Sequence, residues 1–400
     1  MLSGVMSMRF AGVVLGLGLC VATPAIGSAE ENFVASLKLR GGYDTNPEFS
    51  VHGIGGSAFI SSETAMIAGQ TGDKYTLGFV GEASSTLYSN PLATPALSGK
   101  AILRGSIGDD QANLTSTTTL SDVRTYNLRS SDMIQSLKGE VRVGALKLFA
   151  TGEVGRSSLN QTNVIFQDFL PSPQQYWRAT VIPGVSVVGD KMEVGVSANY
   201  SVRRYLEEFD DFGYRRNNER LQPFLFARYT SKDLTAFAAI SRLYGTWHDP
   251  DFTNVKRNMF EANVTWRPAP FTLEASAVRR AGETTFPISP ITIDSIYSLR
   301  GTWQAYDKLK LLASAGYVTS EYLDSIYSSE TATFSGGVQY DLGNDLTLGA
   351  DVTYATGKLL SGIHADALIF GTSISKRFAP FEKEPAKETS AKLPLQIAKR

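Results

Sequence analysis

From Phe33 to Phe378 the chain repeats one motif: a stretch of about ten to fourteen residues alternating apolar and polar, then a turn, with no helical run between. This feature constrains the fold most, because only an extended strand sends alternate side chains to opposite faces. Met192, Val194, Val196, Ala198, Tyr200 and Val202 interleave with Glu193, Gly195, Ser197, Asn199, Ser201 and Arg203. The pattern recurs in Phe260, Ala262, Val264 and Trp266, and again in Leu346, Leu348, Ala350, Val352 and Tyr354. One face is suited to lipid and the other to water. The pattern predicts an all-β fold: a single transmembrane, up-and-down antiparallel β-barrel. A soluble β-sandwich or β-solenoid also alternates and is the competing architecture.

The ends of the chain favour the barrel. Arg9 precedes an apolar run from Phe10 to Ala22, then Thr23-Pro24 and the small residues Gly27-Ser28-Ala29. Residues 1–29 therefore read as a secretory signal peptide, with cleavage after Ala25 as the competing site. Cys20 is the sole cysteine, and Leu19 before it disfavours a lipid anchor, so no thiol chemistry is expected after processing. No later stretch reaches the ~18 apolar residues of a membrane helix. Residues 379–400, rich in Lys, Glu, Pro and Ala, lack alternation and read as a disordered periplasmic tail. That leaves 30–378 as one uniform barrel domain. The formal net charge of −1 excludes a bulk nucleic-acid footprint.

Short connections such as Gly108-Asp109-Asp110, Gly189-Asp190, Pro268-Ala269-Pro270 and Gly343-Asn344-Asp345 alternate with longer ones, among them 45–53, 157–175, 207–213, 248–255 and 283–290. This alternation of lengths predicts about eighteen strands with both termini periplasmic. Sixteen is the alternative, because the segment 54–68 alternates poorly. The aromatic residues then sort into two belts of the kind found at membrane interfaces. Tyr75, Tyr229, Trp266, Trp303 and Tyr340 fall at the periplasmic rim. Tyr88, Trp177, Tyr200, Trp247, Tyr297, Tyr317 and Tyr354 fall at the outer rim.

With the apolar face outward, the expected pore-lining set is Arg40, Arg104, Arg142, Arg178, Arg203, Arg216, Arg220, Arg228, Arg242, Arg280 and Arg300, with Lys38 and Lys138. Glu82, Glu140, Glu153, Glu193, Glu261 and Glu274 are the inward acids. A lumen of about eighteen strands is too wide for side chains to fill and holds water. The basic excess predicts a pore for hydrophilic solutes with some anion preference, or else a wall solvated by Arg–Glu pairs. The run from Asp210 to Arg220 marks either a constriction near the outer mouth or a solvated loop. His248-Asp249-Pro250-Asp251 is too sparse a ligand set for a metal, and no cofactor is expected.

The last strand ends in Ile374-Ser375-Lys376-Arg377-Phe378, and its terminal aromatic resembles the signal read by the barrel-assembly machinery. Lys376 departs from that pattern and is expected to snorkel to the interface. Gly42-Tyr43-Asp44-Thr45-Asn46-Pro47, together with Phe209-Asp210-Asp211 and Arg215-Arg216-Asn217-Asn218, resembles the putative β-barrel porin 2 family. The resemblance implies an outer-membrane barrel of a Gram-negative bacterium with no catalytic residues, and some proteins of the family are linked to export of surface polysaccharide. Expected partners are outer-membrane lipid and lipopolysaccharide, the assembly machinery and polysaccharide export components. A structural or adhesive barrel is one alternative. A barrel hydrolase is another, with only His52, His248 and His364 as bases and no Gly-x-Ser-x-Gly elbow.

Overall fold

A computed structural model describes residues 30–50, 53–124, 128–161, 171–286, 289–360 and 362–379. The expected signal peptide, His52 and residues 380–400 of the expected tail lie outside them. The described chain forms β1 (Glu30–Asp44), β2 (Ser57–Thr71), β3 (Tyr75–Tyr88), β4 (Ala96–Gly108), β5 (Ala112–Arg124) and β6 (Leu128–Val143). There follow β7 (Leu146–Gln161), β8 (Gln174–Val188), β9 (Met192–Tyr205), β10 (Asn218–Thr230), β11 (Leu234–Trp247) and β12 (Val255–Trp266). The last six are β13 (Phe271–Gly282), β14 (Thr292–Tyr306), β15 (Leu309–Tyr322), β16 (Ser328–Gly343), β17 (Leu346–Lys358) and β18 (His364–Phe378).

Each strand pairs antiparallel with the next, and β1 pairs with β18, so the 18-stranded sheet closes on itself. Closure leaves no edge, the condition for a sheet to exist in hydrocarbon. The sixteen-strand alternative is excluded by β2, whose poor alternation has a local cause. Its outward positions include Ser62 and Thr64, flanked by Ile60 and Met66. The Ser62 hydroxyl is 2.9 Å from that of Ser85, and Thr64 donates to the Ala83 carbonyl at 3.4 Å. Cross-strand bonding lets two hydroxyls sit on a lipid-facing wall without an unpaired group.

Registers propagate one inside–outside assignment around the barrel. Leu37, Ile60, Leu87, Leu103, Leu120, Leu137, Leu148, Val181, Val196, Leu225, Ile240, Val264, Leu273, Leu299, Leu311, Val338, Leu348 and Ile374 share the outward face, and nearly all are exposed. That exposure is the inverse of a soluble protein and forms the apolar band that a bilayer covers. The short connections gather at one rim and the long ones at the other. Tyr75, Tyr229, Trp266, Trp303 and Tyr340 face outward at the short-turn rim, where Phe271 stacks on Trp303 at 5.8 Å. At the long-loop rim Tyr200, Tyr317 and Tyr354 each donate a hydroxyl to an outward carboxylate on the next strand, of Glu219, Glu330 and Asp366 respectively.

The seam between first and last strands is bridged on the inside. Arg40 of β1 reaches across β18 to Asp351 of β17, Nε lying 3.1 Å from Oδ1 and Nη2 2.5 Å from Oδ2. Gly371 of β18 lies beneath, and a Cβ there would come 2.9 Å from Arg40 Nε. Outside, Lys376 bonds the Asn344 carbonyl at the short-turn rim, and Phe378 ends the wall with its ring exposed.

The wall is not uniform. β11 and β12 share twelve register pairs, from Leu234↔Trp266 to Gly245↔Val255, whereas β12 and β13 share seven and part beyond Phe260↔Arg279. Above that point the tip of the β13–β14 hairpin turns inward. Ala281 and Ile293 continue the outward faces of their strands, yet they pack with Val255 and Met259 from the inward face of β12. Leu243, Trp247, Phe252, Ile291 and Leu323 complete this cluster, in which Ile291 and Ile293 have no solvent exposure. A hydrophobic core therefore lies inside the barrel at its long-loop end.

Candidate functional site: a pinned hairpin in the lumen

The site starts from two neighbouring strands whose inward residues are basic. Arg178 of β8 lies directly opposite Arg203 of β9, which in turn lies opposite Asn218 of β10, two residues from Arg220. Like charges in register repel, so the arrangement needs a compensating anion. Glu283, the first residue after β13, supplies one. Its carboxylate lies 2.7 Å from Arg203 Nε, whose N–H is not aimed at it, and 2.8 Å from Arg220 Nη2. The Tyr205 hydroxyl donates to its other oxygen at 3.1 Å.

Burial alone would raise the Glu283 pKa. The guanidinium groups of Arg220 and Arg203, with the Tyr205 hydroxyl, outweigh that and hold it below the usual carboxylate range. Arg220 is oriented by the Asn218 side-chain oxygen at 2.9 Å and lies over the Trp247 ring at 5.6 Å. Arg178 has no carboxylate within ion-pair distance among the described residues, and its Nε is buried without a hydrogen-bond partner. Two guanidinium groups thus share the Glu283 carboxylate, and a third, Arg178, stands in register beside Arg203.

A second tie holds the hairpin tip from the β9–β10 connection. Arg216 is buried there and donates to the main-chain oxygens of Ser289 at 2.5 Å and Phe286 at 2.9 Å. Its own position is set by Asp210, 2.8 Å from Nε, which also accepts the N–H groups of Phe212 and Tyr214. Asn217 accepts the Tyr205 N–H at 2.7 Å, and Asn218 donates to the Arg216 carbonyl at 2.9 Å. The charged run Asp210–Arg220 is a folded clamp on the hairpin. Asp249, one residue of the sparse metal-like set, braces the same clamp by accepting the Arg215 N–H at 2.6 Å.

Towards the short-turn rim, the inward charges of β6, β7, β9 and β10 alternate and pair. Lys138 lies 2.7 Å from Glu140, Glu140 is 3.9 Å from Lys147, Lys147 pairs with Glu193, and Glu193 is 3.8 Å from Arg228. Beside this chain Phe149 of β7 meets Phe226 of β10 at 6.0 Å, over the intervening strands. Gly184 makes the crossing possible, since a Cβ there would overlap the Phe149 ring at 2.2 Å.

Most residues expected on the lumen side have inward side chains: Arg40, Arg104, Arg142, Arg178, Arg203, Arg220, Arg228, Arg280, Arg300, Glu193 and Glu261. Arg216 is in a connection rather than a strand, and its charge is spent on the clamp. Arg242 is placed on the opposite face. It sits between Ile240 and Tyr244 on the outward side of β11, 5.8 Å from the Tyr244 ring. Trp247 and Tyr88 point inward rather than into the outer belt. β11 has apolar residues on both faces, Ala236, Ala238 and Ile240 against Phe237, Ala239 and Leu243, so a period of two does not tell its faces apart. Trp177 and Tyr354 do face outward at the long-loop rim.

Sequence reasoning missed Glu283, Tyr205, Phe286 and Ser289. The available signal was compositional. Phe286 and Ile291 are apolar residues in and just after a long connection, where water-exposed loops carry polar side chains.

No curated protein matches the sequence. Among solved structures, OccAB3 of Acinetobacter baumannii is 9% identical with a TM-score of 0.44, covering 88% of this chain and 99% of that one. A BenF-like porin from Pseudomonas fluorescens Pf-5 is 11% identical with a TM-score of 0.43, covering 88% and 99%. The FrpB iron transporter of Neisseria meningitidis is 10% identical with a TM-score of 0.44; the match takes in 81% of this chain and 61% of that one. Residues 191–363, which contain the clamp and the hairpin it holds, match the model of the family described as putative beta-barrel porin 2, and the protein is a closed β-barrel of the Gram-negative outer membrane.

Proposed function

We propose that the protein is a pore for hydrophilic solutes that favours anions, with the pinned β13–β14 hairpin as its constriction. The observation that carries this reading is the charge imbalance at the hairpin: Arg203 and Arg220 converge on the single carboxylate of Glu283, and Arg178 lies in register beside Arg203 without an acid partner among the described residues. A surplus of guanidinium charge in a water-filled, low-dielectric-walled channel lowers the barrier for anions. The paired chain from Lys138 to Arg228 keeps its part of the wall wetted with little net field, while inward arginines unpaired among the described residues, such as Arg104, add to the anion preference.

In this reading the termini and short turns are periplasmic and the hairpin stands near the outer mouth. Diffusion suits the lumen better than polysaccharide export, because a tip fixed by three arginines narrows the passage a polymer chain would have to thread. Phe378 supplies the aromatic end that the assembly machinery reads. Planar-bilayer recording of the refolded barrel in a KCl gradient tests the proposal. The expected reversal potential reports chloride more permeant than potassium; absence of conductance, or cation preference, sinks it.

A further inference from the structure

The Glu283 carboxylate is held as a bound ligand would be. Two guanidinium groups and a phenol hydroxyl converge on it, Arg220 is buried while Arg203, Tyr205 and Glu283 itself are mostly covered, and the acid comes from a hairpin four strands away from the β9 wall it docks on. The receiving side is preassembled without it. Asn218 orients Arg220, the Ser201 hydroxyl accepts from Arg203 Nη1 at 3.1 Å, and Asn217 fixes the Tyr205 backbone. Arg178 stands beside Arg203 with no acid partner among the described residues. A second carboxylate therefore has a donor waiting, whereas the Glu283 carboxylate is shared between Arg203 and Arg220.

We propose that Arg178, Arg203, Arg220 and Tyr205 form a binding site for the carboxylate of a hydrophilic solute, and that Glu283 occupies it as a built-in surrogate which the solute displaces. The inference rests on the pore reading, through which the solute reaches the lumen. Displacement frees the first residues of the tip while Arg216 still holds Phe286 and Ser289 and the Ile291–Ile293 core stays packed. The passage yields locally, with no unfolding of the hairpin. A tethered competitor acts at an effective concentration on the order of millimolar, so solute responds in that range.

The test uses gluconate as probe, sorbitol as its uncharged control and inorganic phosphate as a non-carboxylate anion. Calorimetry on the full, detergent-solubilised chain gives Kd, and planar-bilayer recording gives conductance. Glu283→Gln is expected to tighten gluconate binding by at least about fivefold, by removing the competitor, and to leave sorbitol without measurable binding. Adding Arg178→Gln to that variant removes the gain. A gluconate Kd within about twofold of wild type in Glu283→Gln, or equal binding of sorbitol, overturns the inference, and stronger binding of phosphate than gluconate overturns its carboxylate assignment. Should Glu283→Gln fail to refold, Glu283→Asp shortens the surrogate and carries the same expectation of tighter gluconate binding. Calorimetry reads this site even in a barrel that conducts nothing, which separates its failure from failure of the pore.

Discussion

Arg216 Nη1 lies 2.5 Å from the carbonyl oxygen of Ser289, joining the β9–β10 connection to the tip of the β13–β14 hairpin. A buried guanidinium bonded to main-chain oxygens fixes a backbone, not merely a side chain. Replacing it with Met leaves Asp210 capped by the Phe212 and Tyr214 N–H groups, so the connection keeps its shape while the tip loses its donor. Arg216→Met is expected to cost about 3 kcal/mol of stability and to add open-channel noise. Thermal unfolding and single-channel records check it; an unchanged melting temperature with quiet traces contradicts the clamp.

Acid is expected to loosen the same hairpin. Because its neighbours lower the Glu283 pKa, its contribution to docking is complete above the unfolded value of about 4.3 and is lost as pH falls through the lower folded value. Conductance should be steady from neutral pH down to about pH 5 and rise below about pH 4. Glu283→Gln should abolish that step. A conductance step centred above pH 6 would point to another group.

The facing of the arginines separates selectivity from lipid contact. Arg104 is inward and has no carboxylate within ion-pair distance among the described residues, whereas Arg242 is outward beside Ile240. Arg104→Gln should lower the anion-to-cation permeability ratio by about twofold. Arg242→Leu should leave the ratio unchanged and raise stability by about 1 kcal/mol, since an arginine on a lipid-facing wall is costly. Reversal potentials and urea unfolding of the two variants check the pair, and a selectivity change in Arg242→Leu would refute its outward placement.

Barrel closure offers an independent test. A Cβ at Gly371 intrudes on Arg40 Nε, so Gly371→Ala is expected to push the guanidinium off Asp351. The loss should be about 1–2 kcal/mol, the scale of a charge-assisted bond. Asp351→Asn should cost a similar amount, and the double variant should cost little more than either single one. Additive losses in that cycle would show that Gly371 acts on the wall and not through Arg40.

The sequence alone determined the wall. Period-two alternation along β9, β12 and β17 and turn chemistry at Gly189-Asp190 or Gly343-Asn344-Asp345 are properties of a few adjacent residues, so they are legible without knowing any partner. The same local rule placed Arg178, Arg203 and Arg220 on the inner face. It was silent where both faces are apolar, as in β11, and there Arg242 and Trp247 were assigned to the wrong sides. Tertiary structure decided what fills the lumen. Glu283 is 63 residues from Arg220 and 80 from Arg203, and no local pattern says that β12 and β13 part above Phe260 or that the freed hairpin turns inward. The turn is driven by burial of Ile291 and Ile293 with Met259 and Leu243 and of Phe286 against Tyr322 and Tyr327, and by Arg203 and Arg220, whose charge only a long-range partner could balance. A strand's facing is a short-range property, whereas the occupant of a barrel is chosen by contacts that exist only once the barrel has closed.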